Sequence, residues 1–507
     1  MKPSRTLLFL LLVFAILLIL SLVFPADGIK LWGDKKLTYP DIQSIFTREK
    51  VQYADISAII ENSQIDEDTI VIQDTTVNDS LGSSETQVDS ATVLQDTIKA
   101  DAGNLSSSLE RLQYPGDNPA VLYPFFNELE RLKDTTELIR ILHYGDSQIE
   151  GDRITSYIRN RLQKKFGGSG PGFLPAAQLY NGQLSVYQEN SDNWHRYTAF
   201  GRIDTTIKHH RYGVMASFAR FSPYLPDGVQ PDTITKTAWI TFRRSALGYI
   251  TSRTYDRCRI FYGYNKRPFI TEIEKDGEID DAEMIPPKND LAVLEWDFNS
   301  SPVELTIKFT GTDSPDFYGV ALDNHKGVAV DNIALRGSSG LVFTRMNRNQ
   351  LKELYAKLNV KLLILQFGGN VVPYLTSNFD YYGGKFYKQL KRLKSIDPEV
   401  PIIVIGVADM SQKVNDHYES YPNIEEIRDV MKDASFKAGC AYWDLYEAMG
   451  GHNSMPSWVF AEPSLASPDF VHFNHRGARI VSKMFCNALF TDYYAFRKVE
   501  GLKENKN

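Results

Sequence analysis

Three side chains far apart in the chain have the types needed for acyl transfer: Ser147, His472 and Asp469. Ser147 lies in Gly145-Asp146-Ser147-Gln148, directly after the apolar run Leu138-Ile139-Arg140-Ile141-Leu142. A serine at a strand-to-helix turn sits where helix-start amides stabilise negative charge, and reactive groups of open α/β sheets collect at strand carboxyl ends. A hydroxyl is a weak nucleophile until a base takes its proton. His472 is the candidate base. Asp469, three residues earlier, can accept a hydrogen bond from the imidazole and hold its tautomer. Each residue also has a plainer reading. Asp146 or Ser147 can simply cap a helix, Asp-x-x-His can arise by chance among nine histidines, and His475 is a rival base.

Acyl transfer also needs donors around the developing oxyanion. Two glycine-rich strand ends offer them. Gly337, in Arg336-Gly337-Ser338-Ser339-Gly340, presents an amide with no side chain in the way. Asn370, in Gly368-Gly369-Asn370, places a carboxamide just past a buried strand. Taken singly, each is more often a turn. No Gly-x-Ser-x-Gly elbow occurs, which argues against an ordinary α/β-hydrolase. The loop Gly167 to Gly172 lacks the Gly-Lys-Ser/Thr ending of a phosphate loop. The segment His452 to Trp458 falls between the last predicted strand and the histidine loop. Gln148, Gly369, Ser454 and Trp458 are therefore candidate substrate contacts, with a surface loop as the plainer reading of the last two.

These residues must be positioned by regular elements. Apolar spacing predicts helices over Val121 to Leu132, Ile154 to Phe166, Arg348 to Leu358, Lys385 to Lys394 and Ile424 to Phe436, with another from Arg476. The runs Lys361 to Phe367, Pro401 to Ile405 and Cys440 to Leu445 predict buried parallel strands. Strands alternating with helices imply a parallel sheet covered on both faces. Between them, from about Phe173 to Lys326, short β-type runs (Thr237 to Phe242, Arg259 to Tyr262, Ala292 to Trp296, Val303 to Phe309) predict an antiparallel β-sandwich. This block interrupts the α/β domain instead of following it. Its aromatics Trp194, Tyr197, Trp239, Tyr262 and Tyr264 can stack on sugar rings or simply form a core.

The chain of 507 residues carries a net charge of −7 without a basic tract, which argues against nucleic acid as a partner. Cys258, Cys440 and Cys486 form no metal motif. Thr6 to Phe24 is apolar and long enough to span a bilayer, behind Lys2 and Arg5. The expectation is an uncleaved inner-membrane anchor with the rest of the chain extracytoplasmic (periplasmic), and the competing reading is a cleaved signal peptide and a secreted protein. Ser63 to Ser108 is rich in Asp, Ser, Thr and Gln, with Lys99 its only basic residue. That composition predicts a disordered spacer. A short helix is expected over Ile42 to Ile60.

In this order, the four blocks Gly145-Asp146-Ser147, Gly337, Gly368-Gly369-Asn370 and Asp469-Phe470-Val471-His472 resemble the SGNH (GDSL-type) hydrolase superfamily. The resemblance implies a three-layer α/β/α sandwich, Ser147 as nucleophile, His472 as general base and acid, and Asp469 orienting it. It implies an oxyanion hole from the Ser147 and Gly337 amides and the Asn370 side chain, with no cofactor or metal. Val371 follows Asn370 where many members have aspartate, and Gln148 replaces a common leucine. An SGNH domain split by a β block on an exported chain is similar to bacterial peptidoglycan O-acetylesterases, whose insert resembles a carbohydrate-binding module. The expected organisation is an anchor over 1–26, a tether over 27–114, a hydrolase domain over 115–173 and 327–497, the inserted β-sandwich over 174–326, and a tail over 498–507. The expected substrate is an acetylated cell-envelope polysaccharide. Two other readings stand: an O-acetyltransferase with the same Ser-His-Asp site and a membrane acyl-donor partner, and a non-catalytic glycan-binding protein.

Overall fold

The computed structural model describes residues 3–24, 29–30, 36–37, 51–63, 111–178, 183–226, 228–230, 233–374, 376 and 378–501. Met1–Gln52 and Tyr53–Asn507 form two units. The first contains helix α1, Pro3–Val23, and a two-stranded ladder pairing Ile29 with Leu37. Leu7 to Leu12 are all exposed on α1. The described side chains of α1 end at Ser21, and among the described residues no helix is long and apolar enough to cross a membrane. Most of the expected spacer, residues 64–110, lies outside the described residues, as does the 42–50 part of the expected Ile42 to Ile60 helix.

The second unit is built on five parallel strands: β1 (Leu138–Gly145), β2 (Gly327–Ala334), β3 (Val360–Gln366), β4 (Ile402–Ile405) and β5 (Ala441–Trp443), in the order β2-β1-β3-β4-β5. Strand side chains alternate between faces, and here both faces are apolar. Ile139, Ile141, Leu362, Ile364, Ile403 and Ile405 enter one core, while Leu142, Tyr144, Leu363, Leu365, Ile402 and Val404 enter the other. Helices α3 (Tyr123–Arg131), α4 (Thr155–Phe166), α8 (Ser454–Phe460) and α9 (His475–Val499) contribute to the first core. Helices α5 (Arg348–Leu358), α6 (Asp380–Ile396) and α7 (Ile424–Lys437) contribute to the second. A sheet buried on both sides leaves its loops at the strand ends as the place for chemistry.

Between β1 and β2 the chain forms two antiparallel sheets, whose facing side chains, among them Ile240, Phe269, Phe309 and Phe317, make a third core. The last strand of this block, Asp316–Asp323, ends on a charge network. Arg140 of β1 pairs with Asp323 and, at 2.6 Å, with Asp331 of β2, and all three side chains are fully buried. A buried guanidinium of this kind is tolerated only when paired, so the network fixes the block to the parallel sheet. The loop Gly167 to Gly172 has a packing role. Gly168 holds φ +110, and a Cβ there would stand 2.4 Å from the Val328 carbonyl oxygen of β2.

Two departures from expectation concern the segment before the hydrolase core. The helix described there is α2, Ser57–Ser63, with residues 51–56 of the expected span non-helical, and the chain around it is docked. Ile56 is buried, Ala54 N donates to Asn453 O at 3.2 Å, and Ser457 Oγ donates to Ala54 O at 2.6 Å. Leu112 and Tyr114 are also buried, and Gln113 bridges Tyr442 beside β5. Apolar Ile56, Leu112 and Tyr114 are what composition averaged over a polar stretch conceals. Order at the far side therefore begins before Pro115.

Candidate active site

Ser147 stands two residues past the end of β1, and it opens a six-residue 3-10 turn before α4, Ser147–Asp152. Asp146 caps that turn, with Oδ1 accepting from Gln148 N at 3.0 Å. The capping and nucleophile readings thus divide between neighbours. Ser147 Oγ lies 2.8 Å from His472 Nε2, and His472 Nδ1 lies 2.8 Å from Asp469 Oδ2. The network assigns the proton on Nδ1 to the carboxylate bond, leaving Nε2 as acceptor for the hydroxyl. Asp469 Oδ1 accepts from the backbone amides of Val471 (2.9 Å) and His472 (3.0 Å). Burial alone would raise the Asp469 carboxyl, but these amides and the ring outweigh it and hold it below its ordinary value. His475, the rival, instead opens α9.

The histidine loop is held from several sides. Gln148 Nε2 donates to Val471 O at 2.6 Å and Arg153 Nη1 to Phe473 O at 3.2 Å. Phe470 adopts φ +59, a left-handed conformation that costs a bulky residue about 1 kcal/mol or more. It stays there because its buried ring stacks on Tyr418 (centroids 3.5 Å apart, planes at 9°) and meets the Phe460 edge at 5.5 Å. Tyr418 belongs to a hairpin, Ser411–Val414 with His417–Ser420, and Ser411 N donates to Phe470 O at 3.0 Å.

Gly337 lies in a turn closed by Ser338 N to Leu335 O at 2.9 Å. Its φ is +76, a left-handed conformation that favours glycine, and nothing stands within 4 Å of where a Cβ would be. Asn370 follows β3, and its Nδ2 donates to Asp146 Oδ2 at 3.3 Å and to Ser338 O at 3.2 Å. That amide group therefore ties together the turns after β1 and β2. Burial pushes the Asp146 carboxyl up to about 6, against the opposing pull of the Gln148 amide, His472 and Asn370. Val371 is buried in the second core, so its position serves packing. The four sequence blocks thus converge on one sheet edge.

Three expected substrate contacts are corrected. Ser454 is fully buried, 3.4 Å from Asp409 Oδ2, and Trp458 is fully buried with Nε1 donating to Met449 O at 2.8 Å. Neither is open to a ligand. Gln148 is buried too and spends its carboxamide on the histidine loop. Gly369 stays half-buried, next to Asp146 and Met410. In the β block, Trp194 packs edge-on to Phe221, Phe309 and Phe317, Tyr197 stacks on Phe218, and Tyr262 is buried. These rings are structural. Phe470, Tyr418 and Arg153 were missed because nothing in their spacing marks them.

A Ser-His-Asp relay at the carboxyl end of a parallel sheet, with a glycine turn and an asparagine beside it, is the arrangement of an SGNH-type hydrolase. Residues 302–480 match the model of the GDSL-like Lipase/Acylhydrolase family, and the chain carries an esterase/acylhydrolase domain of that type. The matched stretch includes Gly337, Asn370, Asp469 and His472 but begins after Ser147, from which the β block separates them in the chain. A solved peptidoglycan O-acetylesterase is similar in fold, at TM-score 0.58 and 19% identity, over 76% of this chain and 99% of that one. A family two carbohydrate esterase from Clostridium thermocellum, solved with cellohexaose, aligns at TM-score 0.22 and 7% identity, over 61% of this chain and all of that one (100%). No curated protein matches the chain in sequence.

Proposed function

We propose that this chain is a membrane-tethered extracytoplasmic esterase that removes O-acetyl groups from a cell-envelope polysaccharide such as peptidoglycan. The observation that carries the reading is the unbroken relay Ser147 Oγ, His472 Nε2, His472 Nδ1, Asp469 Oδ2, with both links at 2.8 Å. Ser147 Oγ attacks the acetyl carbonyl carbon as its proton passes to His472 Nε2. The negative charge on the carbonyl oxygen is met by the Ser147 and Gly337 amides and by Asn370 Nδ2, which turns from its long bonds of 3.2 and 3.3 Å. The tetrahedral intermediate collapses, the C–O bond to the sugar breaks, and His472 returns the proton to the sugar oxygen. Water then attacks the acetyl-serine, giving its proton to His472, and acetate leaves as Ser147 regains its hydroxyl.

Tethering is supported by the apolar run Thr6 to Phe24 behind Lys2 and Arg5 and by the exposed leucines of α1. Acetate as the acyl product and a polysaccharide as its carrier are taken by analogy with the solved peptidoglycan O-acetylesterase that the chain is similar to in fold. The test is turnover of an acetylated chromogenic ester. Ser147→Ala and His472→Ala should each lose about 10³-fold or more, and unchanged turnover in both variants overturns the assignment.

A further inference from the structure

A cleft of about 300 Å³ opens where the β block meets the carboxyl ends of β1 and β2. One wall comes from the turn after Ser147 and the end of β2: Glu150, Arg153, Asn332 and Arg336. The β block supplies Arg196 and Phe200 opposite them. Among the described lining residues, three arginines stand against one glutamate. Arg336 and Glu150 face each other through Nε at 3.0 Å and through Nη2. Arg153 spends Nε on Glu150 O (2.9 Å) and Nη1 on Phe473 O (3.2 Å). Its Nη2 has no partner among the described residues. Arg196 donates to Ser217 Oγ (3.2 Å) and Ala177 O (3.3 Å).

A second, independent feature points to a ligand. Asn332 lines the same cleft and is 7% exposed. Its Oδ1 is bonded by Thr155 Oγ1 at 3.2 Å, while its Nδ2 is buried without a partner among the described residues. A buried amide donor costs free energy until something accepts from it. Planar guanidinium groups with a neighbouring amide donor match a carboxylate better than a neutral hydroxyl. Two of its lining residues are tied to the reacting groups: Glu150 follows Ser147 by three residues, and Arg153 donates to Phe473 O next to His472.

We propose that this cleft is a subsite for a carboxylate carried by the acylated saccharide, so that the enzyme prefers acidic glycans. This rests on the esterase reading above. With the acetyl carbonyl at Ser147, the remainder of the sugar and its substituents extend toward Arg153, Asn332 and Arg196. The β block then shapes specificity through Arg196 at the domain junction, while Trp194, Tyr197 and Tyr262 pack within the block.

The test uses the full chain and three O-acetylated saccharides: a neutral N-acetylglucosamine oligomer, a glucuronate oligomer with its carboxylate on the ring, and N-acetylmuramic acid with its carboxylate on an ether substituent. The proposal expects wild-type kcat/KM to favour at least one acidic substrate about tenfold over the neutral one. The preferred acidic substrate identifies the carboxylate source. Arg196→Gln should lose at least about fivefold more on that substrate than on the neutral one, chiefly through KM, and Arg196→Lys should recover part of the loss. Equal turnover of all three substrates by wild type, or an equal loss on all three in Arg196→Gln, overturns the subsite. If wild type turns over none of them, the esterase reading fails. Calorimetry on Ser147→Ala with the deacetylated saccharides then still decides the subsite, which stands on tighter binding of an acidic sugar and falls on equal binding.

Discussion

Asn370, just past the end of β3, directs its side-chain nitrogen to Oδ2 of Asp146, 3.3 Å away just past the end of β1. The acceptor is buried and its carboxyl is pushed up to about 6. The folded state therefore binds the Asp146 proton more tightly than the unfolded chain does, in which the group titrates near its ordinary value of 3.8. The stability this proton contributes is fully present below about pH 4 and is lost as pH rises through 6. Relative to Asp146→Asn, wild type should lose on the order of 3 kcal/mol between pH 4 and pH 7. Denaturant midpoints of the two proteins across that range measure it, and a difference independent of pH contradicts the assignment.

Tyr418 and Phe470 share a stacked contact 3.5 Å apart, and Phe470 lies between Asp469 and His472 in the chain. Removing the Tyr418 ring releases a strained backbone without touching Ser147, His472 or Asp469. Tyr418→Ala should lower kcat about tenfold while KM changes less than about twofold, since small misplacements of a reacting group are costly. Tyr418→Phe, which keeps the stack, should restore kcat. Equal kinetics for all three proteins would show that the hairpin is mere covering.

Ile56 fills a site beside Gly450, where a Cβ would lie 3.3 Å from its Cγ2, and Tyr53 faces Phe460 with ring centroids 5.8 Å apart. The docked segment 53–63 therefore packs behind the aromatic residues that hold the histidine loop. Ile56→Asp places a charge in that site and should undock the segment. Limited proteolysis should then cut within 53–63 at least about tenfold faster than in wild type, with the hydrolase core intact. An unchanged cutting rate argues that Ile56 contributes little to docking.

The parallel sheet was legible because both its faces are apolar: alternation that sends Ile141 to one core and Leu142 to the other reads in sequence as a continuous apolar run. The meeting of Ser147, His472 and Asp469 was legible because a relay restricts residue type at each position, and their side chains do lie within hydrogen-bond reach. What sequence left hidden was the second use of polar side chains. Gln148 offers the same carboxamide whether it faces a sugar or pins Val471, and only the distance of 2.6 Å decides. Trp458 was misplaced because a loop between a strand and the histidine reads as exposed, whereas its ring lies in the core. Asp323, at the end of the β block, gives no sign in sequence that it meets Arg140 almost two hundred residues earlier. Long-range charge pairing of that kind leaves no local pattern.

The central claim is that Ser147 becomes covalently acetylated during turnover. Acid quenching of the full-length protein in the presence of an acetylated ester, followed by peptide mass analysis, tests it directly. The account predicts an acetyl group on the peptide containing Ser147 in wild type and none on that peptide in Ser147→Ala, which should also show no turnover above background. Full turnover by Ser147→Ala, or an acetyl group confined to another residue, would contradict it.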